Sequence, residues 1–347
     1  MYFSDAWIAT NIPTKVVGPI DIIYREKREK IHVPLATFET PLWYSTKRGA
    51  LAAQKSGGIN TVVTDDFMTR SIILEAANAE NAIKCQEWIK SHRNLIAEIV
   101  SLSSRFAKLK DVSSENVGRL LYVRICVESG NASGHNMATK AADEVADFIT
   151  KNYNGLKYVS ISGNYCTDKK VSAVNGILGR GKRVTADITI SADVCQAILK
   201  STPSRICELN YKKNLIGSVL AGSTRSANAH YANVALAMYL ATGQDAANIV
   251  EASQGITVTD MVGENLYFSV TMPNIIVGTI GNGKHLDFAC ENLAMMRCPP
   301  ENPDSSKRLA AIIAATVLCS ELSLMAAQTN RGELMHSHVA LERNSKR

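Results

Sequence analysis

Two adjacent lysines beside an aspartate are the first residues with chemical promise. In Ser162–Lys170 (SGNYCTDKK) a strand-like run ends in a polar loop that carries Asp168, Lys169 and Lys170. Neighbouring ammonium groups repel, so such a pair is either solvated or matched to anions. One reading is an exposed charged loop. The other is an anion or oxyanion site with a lysine beside a reacting carbonyl. A second signal is Asp245 in GQDAAN, a single carboxylate at a helix break within a very apolar region. It serves as an N-cap, or as a buried carboxylate that holds a lysine charged and is itself held ionised. A third is a pair of glycine turns. SGNASGHNM leads into a helix and GTIGNGK follows a strand, and backbone N–H groups at such places bind phosphates. Neither fits G-x-G-x-x-G with a downstream acid, so a Rossmann site is not supported. The fourth is the tail, where His336 and His338 lie near a basic end. Such histidines are ordinarily exposed; a mobile tail can also close over a nucleotide, with His338 as a proton donor.

These residues need elements to hold them. EKIHVPLATFET reads as a strand ending at Glu39, and STKRGALAAQKSGG as a helix stopped by two glycines. From ILEAANAE to SLSS the spacing is helical; GRLLYVRICVES and KYVSISGNY alternate as strands around the helix MATKAADEVADFITKNY. Strand, glycine turn and helix in that order suit a small α/β unit inserted in a larger domain. No Ser/Pro-rich linker marks its junctions near residues 71 and 160, so docked domains are expected. Farther on, ANAHYANVALAMYLATGQDAANIVEA reads as a helix broken at Gly243 and resumed after Asp245. ENLYFSVTMPNIIVGTIGNGK reads as two strands split by Pro273, and RLAAIIAATVLCSELSLMAAQTN as a helix. Glu321 and two serines interrupt the latter, and its apolar part falls short of the ~18 residues of a membrane span. It is therefore expected inside the protein.

Composition sets outer limits. The chain has 347 residues, 46% of them hydrophobic, which suits about two domains and rules out disorder as the main state. The net charge of +6 is spread along the chain, which suits an anionic small molecule better than nucleic acid. Eight cysteines form no C-x-x-C pair, and no histidine cluster has zinc-site spacing; reduced thiols in the cytoplasm and no metal site are expected. The N-terminal stretch lacks the basic and apolar regions of a secretory signal. The absence of a G-x-S-x-G elbow argues against an α/β hydrolase.

The segments VPLATFET, LWYSTKRG, DDFMTR, SSRFAKL, SGNASGHNM, SGNYCTDKK, KNLIGS, NAHYAN, GQDAAN, GTIGNG, ELSLMAA and the terminal SH before VAL occur in this order. Together they resemble the 3-hydroxy-3-methylglutaryl-coenzyme A (HMG-CoA) reductase family, in its soluble catalytic-domain form and closer to class I than to class II. The resemblance implies a mixed α/β (α+β) fold. A large HMG-CoA-binding domain would comprise residues 1–70 and 161–347, with the tail 331–347 as a flap. A small ferredoxin-like NADP(H)-binding domain would be inserted at 71–160. It also implies two successive reductions of the HMG-CoA thioester by NADPH, giving mevalonate and coenzyme A.

Four family positions imply catalysis. Glu39 would donate a proton to the mevaldehyde oxygen, and Lys169 would stabilise the developing alkoxide. Asp245 would couple to both, and His338 would protonate the coenzyme A thiolate. Arg70, Ser162, Asn164, Lys170, Lys213 and Asn233 match positions around the HMG moiety; Arg48 and Tyr44 match coenzyme A contacts. Ser104, Arg105 and Phe106 match a cofactor segment. So do Asn131, Ser133, Gly134, His135, Asn136 and Met137, then Gly281, Asn282 and Gly283, and Arg343 and Asn344 of the tail. Arg105, Arg343 and Lys346 are candidates for a nucleotide 2′-phosphate, and Ser345 lies near the family's regulatory phosphoserine. The sequence departs from the family at Asn131, where an acid is usual, at Asn282, where glycine is usual, and at Thr40, Pro41 and Phe67. The family's active sites form between subunits, so a homodimer or homotetramer is implied. Two alternatives stand beside this reading. One is the reverse, NAD-linked oxidation of mevalonate; the other is an impaired homologue that binds coenzyme A without turnover.

Overall fold

The structure, a computed structural model, describes residues 10–340. In chain order, β1 (Thr14–Tyr24) and β2 (Lys27–Ala36) form an antiparallel hairpin, followed by α1 (Thr40–Lys55) and β3 (Ile59–Ala76). Next come α2 (Ala79–Ser91), α3 (Arg93–Ser103), β4 (Lys108–Val117), β5 (Leu120–Glu128), α4 (His135–Asn152) and β6 (Leu156–Ile161). After α5 (Ala173–Leu178) and β7 (Gly181–Ile190), α6 (Ala192–Val194) runs into a π-helical turn at Cys195–Leu199. A helical arm is built from α7 (Pro203–Leu209), a π segment (Asn210–Gly217) and α8 (Ser218–Leu220). The remainder is β8 (Ser226–Ala227), α9 (Tyr231–Ala241), α10 (Ile249–Ala252), β9 (Gly255–Val262), β10 (Asn265–Ile275), α11 (Asp287–Met295), α12 (Ser305–Gln328) and α13 (Glu333–His338).

The larger sheet has the order β2-β1-β3-β7-β10-β9-β8, mostly antiparallel, with parallel pairing of β1 with β3 and β8 with β9. A second sheet, β4-β5-β3-β6, is antiparallel throughout. β3 belongs to both. Its first half, to Phe67, pairs with β7; from Met68 onward it pairs with β5, and from Ile72 with β6. Each sheet has its own core. α12 is apolar on every side and lies in the larger one, as a helix without a polar face must; Glu321 is fully buried within it. This helix alone among the described residues is long and apolar enough to cross a membrane, and 94% of its most apolar window is buried inside the fold. The smaller core lies under α4, whose Ala138, Ala141, Ala142, Val145 and Ile149 recur at helical spacing and face the sheet.

Four expectations change. The second strand ends at Ala36, and Glu39 stands instead at the N-cap of α1, where Pro41 occupies a first-turn position that needs no N–H. Ile73–Ala76 is strand, not the start of a helix; a short apolar run fits either period, and partners on both sides decided it. β10 continues across Pro273, because the pairing with β7 slips between Met272 and Ile275 and asks no ladder bond of the proline. The junction expected near residue 71 lies inside β3.

Helix α1 packs on α12 through Gly49, where a Cβ would overlap the Cys319 carbonyl. Gly49→Ala is expected to lower stability by roughly 2–3 kcal/mol or more through overpacking. Gly217→Ala, with nothing nearer its Cβ than 3.7 Å, should change stability by less than ~0.5 kcal/mol. Denaturant titration of both variants checks the pair.

Candidate active site

The loop after β6 and the turn after α9 meet. Lys169 Nζ lies 2.8 Å from Asp245 Oδ2. Asp245 both caps and pairs: its other oxygen caps the following turn by accepting from Ala247 N–H at 3.1 Å, and it holds a lysine, but as an exposed carboxylate and not the buried one expected. Burial works against its charge, but the Lys169 ammonium and the Ala247 N–H outweigh it and hold the carboxyl below its usual range. Reciprocally, the hydrogen bond to Asp245 raises Lys169. The two side chains are 42% and 48% exposed, so they face solvent and not a core.

The loop is held from below by Arg180, which is fully buried. Its Nη1 donates to Glu251 Oε1 at 2.8 Å, its Nε donates to Thr69 Oγ1 at 3.2 Å, and its Nη2 lies 2.8 Å from Asp168 Oδ1 as an ion pair off hydrogen-bond alignment. Glu251 also accepts from the Lys169 N–H at 2.6 Å. Burial pushes the Glu251 carboxyl up, with Arg180 pulling against it. Asn164, Thr167 and Lys169 are non-glycine residues at positive φ, a conformation that persists only where surroundings enforce it. Ser71 supplies more of that enforcement, its hydroxyl accepting from the N–H groups of Gly163 and Cys166.

Around the pair stand other expected residues. Arg70 Nη1 lies 3.6 Å from Asp168. His135, at the start of α4, has Nε2 3.7 Å from Asp168 and 3.3 Å from Asn248 Nδ2. Burial, together with nearby Arg180, pushes it down to about 4, so its ring is neutral at pH 7. The two glycine turns touch. Ala132 bridges Ile280, and Thr279 N–H donates to the Asn131 carbonyl at 2.8 Å. Gly134 has φ +91°, and a Cβ there would sit 2.7 Å from Ser129 Oγ. Asn131 is consumed structurally, donating to the carbonyls of Pro300 and Asn302 and accepting from Ser306 N–H. Ser133 is half-buried, Asn136 is exposed, and Met137 packs on the smaller core. Gly281 has open space beside it, Asn282 is exposed, and Gly283 presses against Gly243.

A second group surrounds a cavity of about 340 Å³. Glu39 Oε2 accepts from Asn233 Nδ2 at 2.9 Å, with Tyr44, Arg48 and His230 on the walls. Arg48 is spent on internal contacts, donating to Ser323 and pairing with Glu333 at 2.6 Å. No hydrogen bond or ion pair among the described residues joins Glu39 to Lys169 or Asp245. Lys213 lies apart on the π segment with Asn214 as partner, and burial lowers it. Ser162 is engaged by Cys166 Sγ at 2.9 Å, and Lys170 and Asn164 are exposed. Ser104, half-buried, leads into an exposed turn at Arg105 and Phe106 before β4, with the Arg105 guanidinium 4.5 Å from the Phe106 ring. His338 ends α13, its side chain outside what is described; Arg343, Asn344, Ser345 and Lys346 lie outside the described residues.

With this geometry in place, the comparisons with known proteins are decisive. A family model for hydroxymethylglutaryl-coenzyme A reductase matches residues 8–343. The chain belongs to that family. It is 41% identical over 339 residues to a 3-hydroxy-3-methylglutaryl-coenzyme A reductase of Pyrococcus abyssi, covering 96% of this chain and 82% of that relative. It is 41% identical over 342 residues to 3-hydroxy-3-methylglutaryl-coenzyme A reductase 2 of Dictyostelium discoideum, spanning 64% of that longer protein. Among solved structures, the class II 3-hydroxy-3-methylglutaryl-CoA reductase of Streptococcus pneumoniae, bound to NADPH in open conformations, matches with a TM-score of 0.75. Its identity is 19%, and the match covers 94% of this chain and 88% of that one. This neighbour shares the mixed α/β architecture.

For an HMG-CoA reductase chain, the sequence reading missed Arg180, Glu251, His230 and Glu321. Glu321 accepts from the N–H groups of Ala229 and His230 and from Thr257, and so fixes the entry to α9. Glu251 and Glu321 did carry a signal, each being a lone acid in an apolar run. Removing one partner of the Arg180–Glu251 pair leaves a buried charge, so Glu251→Gln should cost about 3–5 kcal/mol. Combining it with Arg180→Met should recover part of that loss, read as coupling in a double-mutant cycle by denaturant unfolding.

Proposed function

We propose that this chain catalyses the two-step reduction of HMG-CoA to mevalonate and coenzyme A, consuming two NADPH and two protons. The observation that carries the reading is the contact of Lys169 with Asp245, which joins the two most family-specific motifs at one point. Lys169 faces the thioester oxygen and stabilises the negative charge that develops there. Asp245 keeps that ammonium charged and oriented. Glu39, held by Asn233, donates the proton to the mevaldehyde oxygen. His338 protonates the coenzyme A thiolate as it leaves. Arg70, Lys170 and Lys213 are the cations available to the substrate carboxylate.

The residues present fit a dinucleotide. The N-terminus of the 18-residue α4 has no side-chain cap, and its N–H groups adjoin a glycine turn with open space at Gly281. Gly134, His135 and Asn136, with Gly281 and Asn282, would hold it; Arg105 would meet a 2′-phosphate. NADPH supplies the hydride when bound. The strand order β4-β5-β3-β6, with α2, α3 and α4 on one core, supports a ferredoxin-like nucleotide unit spanning about 71–160. We further propose a homodimer or homotetramer. The Lys169–Asp245 pair is half exposed, and a second copy carrying the Glu39 cavity would cover it and exclude water. A cytoplasmic location belongs to the same reading.

Loss of NADPH absorbance on adding HMG-CoA tests the whole; binding of HMG-CoA without turnover would instead favour the impaired homologue. In that assay Lys169→Ala should lower kcat by at least about 10³-fold, while calorimetry finds HMG-CoA affinity changed only a few-fold. His338→Gln should slow reduction of HMG-CoA more than reduction of free mevaldehyde. Equal slowing of both would remove the thiolate role.

A further inference from the structure

Lys284 closes the second glycine turn and has no part in the roles above. The residue is 7% exposed, and among the described residues Nζ donates to one partner, the Asn282 carbonyl, at 3.1 Å. An ammonium ion buried that deeply with a single neutral acceptor is unfavourable unless a carboxylate offsets it. The carboxylate within reach of its charge is Asp245: burial pushes the Lys284 ammonium down, and Asp245 pulls it back. The backbone fixes this approach. Gly243, two residues before Asp245, and Gly283, next to Lys284, lie main chain against main chain, and a Cβ on either would overlap the other's carbonyl oxygen. Lys169 therefore contacts Asp245 from the loop after β6, while Lys284 acts on it at longer range from the glycine turn after β10.

We infer that Lys284 is a positioning residue for the reduction, a second cation that shares Asp245 with Lys169. Charge arithmetic gives the reason. Lys169 and Asp245 alone sum to zero, so the carboxylate cancels much of the field that a developing alkoxide would feel. With Lys284 the trio sums to +1, and the Lys169 ammonium is left less neutralised. The other titratable groups do not undo this. Asp168 and Glu251 also act on Lys169, but Arg180 and Arg70 together offset them, and His135, which faces Asp245, is neutral. The inference rests on the proposed role of Lys169 at the substrate oxygen.

Amine labelling tests it without substrate or cofactor. The unliganded protein is treated with acetic anhydride at pH 9, and modification of Lys169 is quantified by mass spectrometry. Only the neutral amine reacts. Removing Lys284 leaves Asp245 to Lys169 alone and raises Lys169, so Lys284→Met should slow its labelling by about 3–10-fold, the effect of roughly half to one pH unit. Lys284→Arg should stay within about twofold of wild type. In turnover, Lys284→Met should lower kcat by about 10-fold with a smaller change in KM, and Lys284→Arg should restore most of it. If the methionine variant does not fold, Lys284→Gln carries the same comparison. Wild-type labelling of Lys169 in the folded uncharged variant, beside normal turnover of wild type, overturns this inference alone. A wild-type protein that never oxidises NADPH with HMG-CoA overturns the reductase reading, and with it the role of Lys284 in reduction.

Discussion

One buried guanidinium, that of Arg180, is the interaction on which the site depends. It reaches Thr69 on β3, Asp168 in the loop after β6 and Glu251 on α10, three segments far apart in sequence. A charge in a fully buried position is tolerable only when matched, and here it is matched twice. Asp168 is in turn shared with Arg70, and Glu251 with the N–H of Lys169, so the cluster beneath the loop is close to neutral. The left-handed residues of the loop are held by the bonds of its backbone to Ser71 and Glu251. The exposed Lys169–Asp245 pair sits above this charged layer, and Asp168 and Glu251 add to Asp245 in favouring the charged form of Lys169.

The second organising feature is the strand β3. The larger sheet, the smaller sheet and the loop all read their positions from it: Thr69 anchors Arg180, Arg70 pairs with Asp168, and Ser71 holds the loop backbone. Three consecutive residues thus face the same cluster from a strand, where alternate side chains point to opposite sides. β5 pairs along one edge from Met68, whereas β6 joins the other only from Ile72, and over Thr69 and Ser71 the loop after β6 meets the strand instead.

Much of this was legible in the sequence where chemistry and local pattern coincide. The run SGNYCTDKK announced a charged loop, GQDAAN announced a carboxylate at a helix break, and their contact makes each the explanation of the other. The meeting of the two glycine turns followed from no local rule, since the bridge from Ala132 to Ile280 joins segments about 150 residues apart. Arg180 was silent for the same reason, and Glu251, although a lone acid in an apolar run, could not be matched to it: a buried ion pair has no period and no spacing, only a partner. Asn131 and Arg48 show the reverse case. Their types suited a ligand, but the fold had already assigned their hydrogen bonds to neighbouring backbone and side chains.

The shared strand also bears on how such a protein can be recombined. Inserted units are ordinarily exchanged between relatives at flexible linkers, where few contacts cross and a cut is harmless. Here the entry to the smaller sheet lies within a continuous 18-residue strand, and a graft boundary there would cut through Thr69, Arg70 and Ser71. The smaller sheet is therefore inherited together with the floor of the active site. A chimera that keeps the larger sheet must take its crossover point elsewhere, or carry the strand whole.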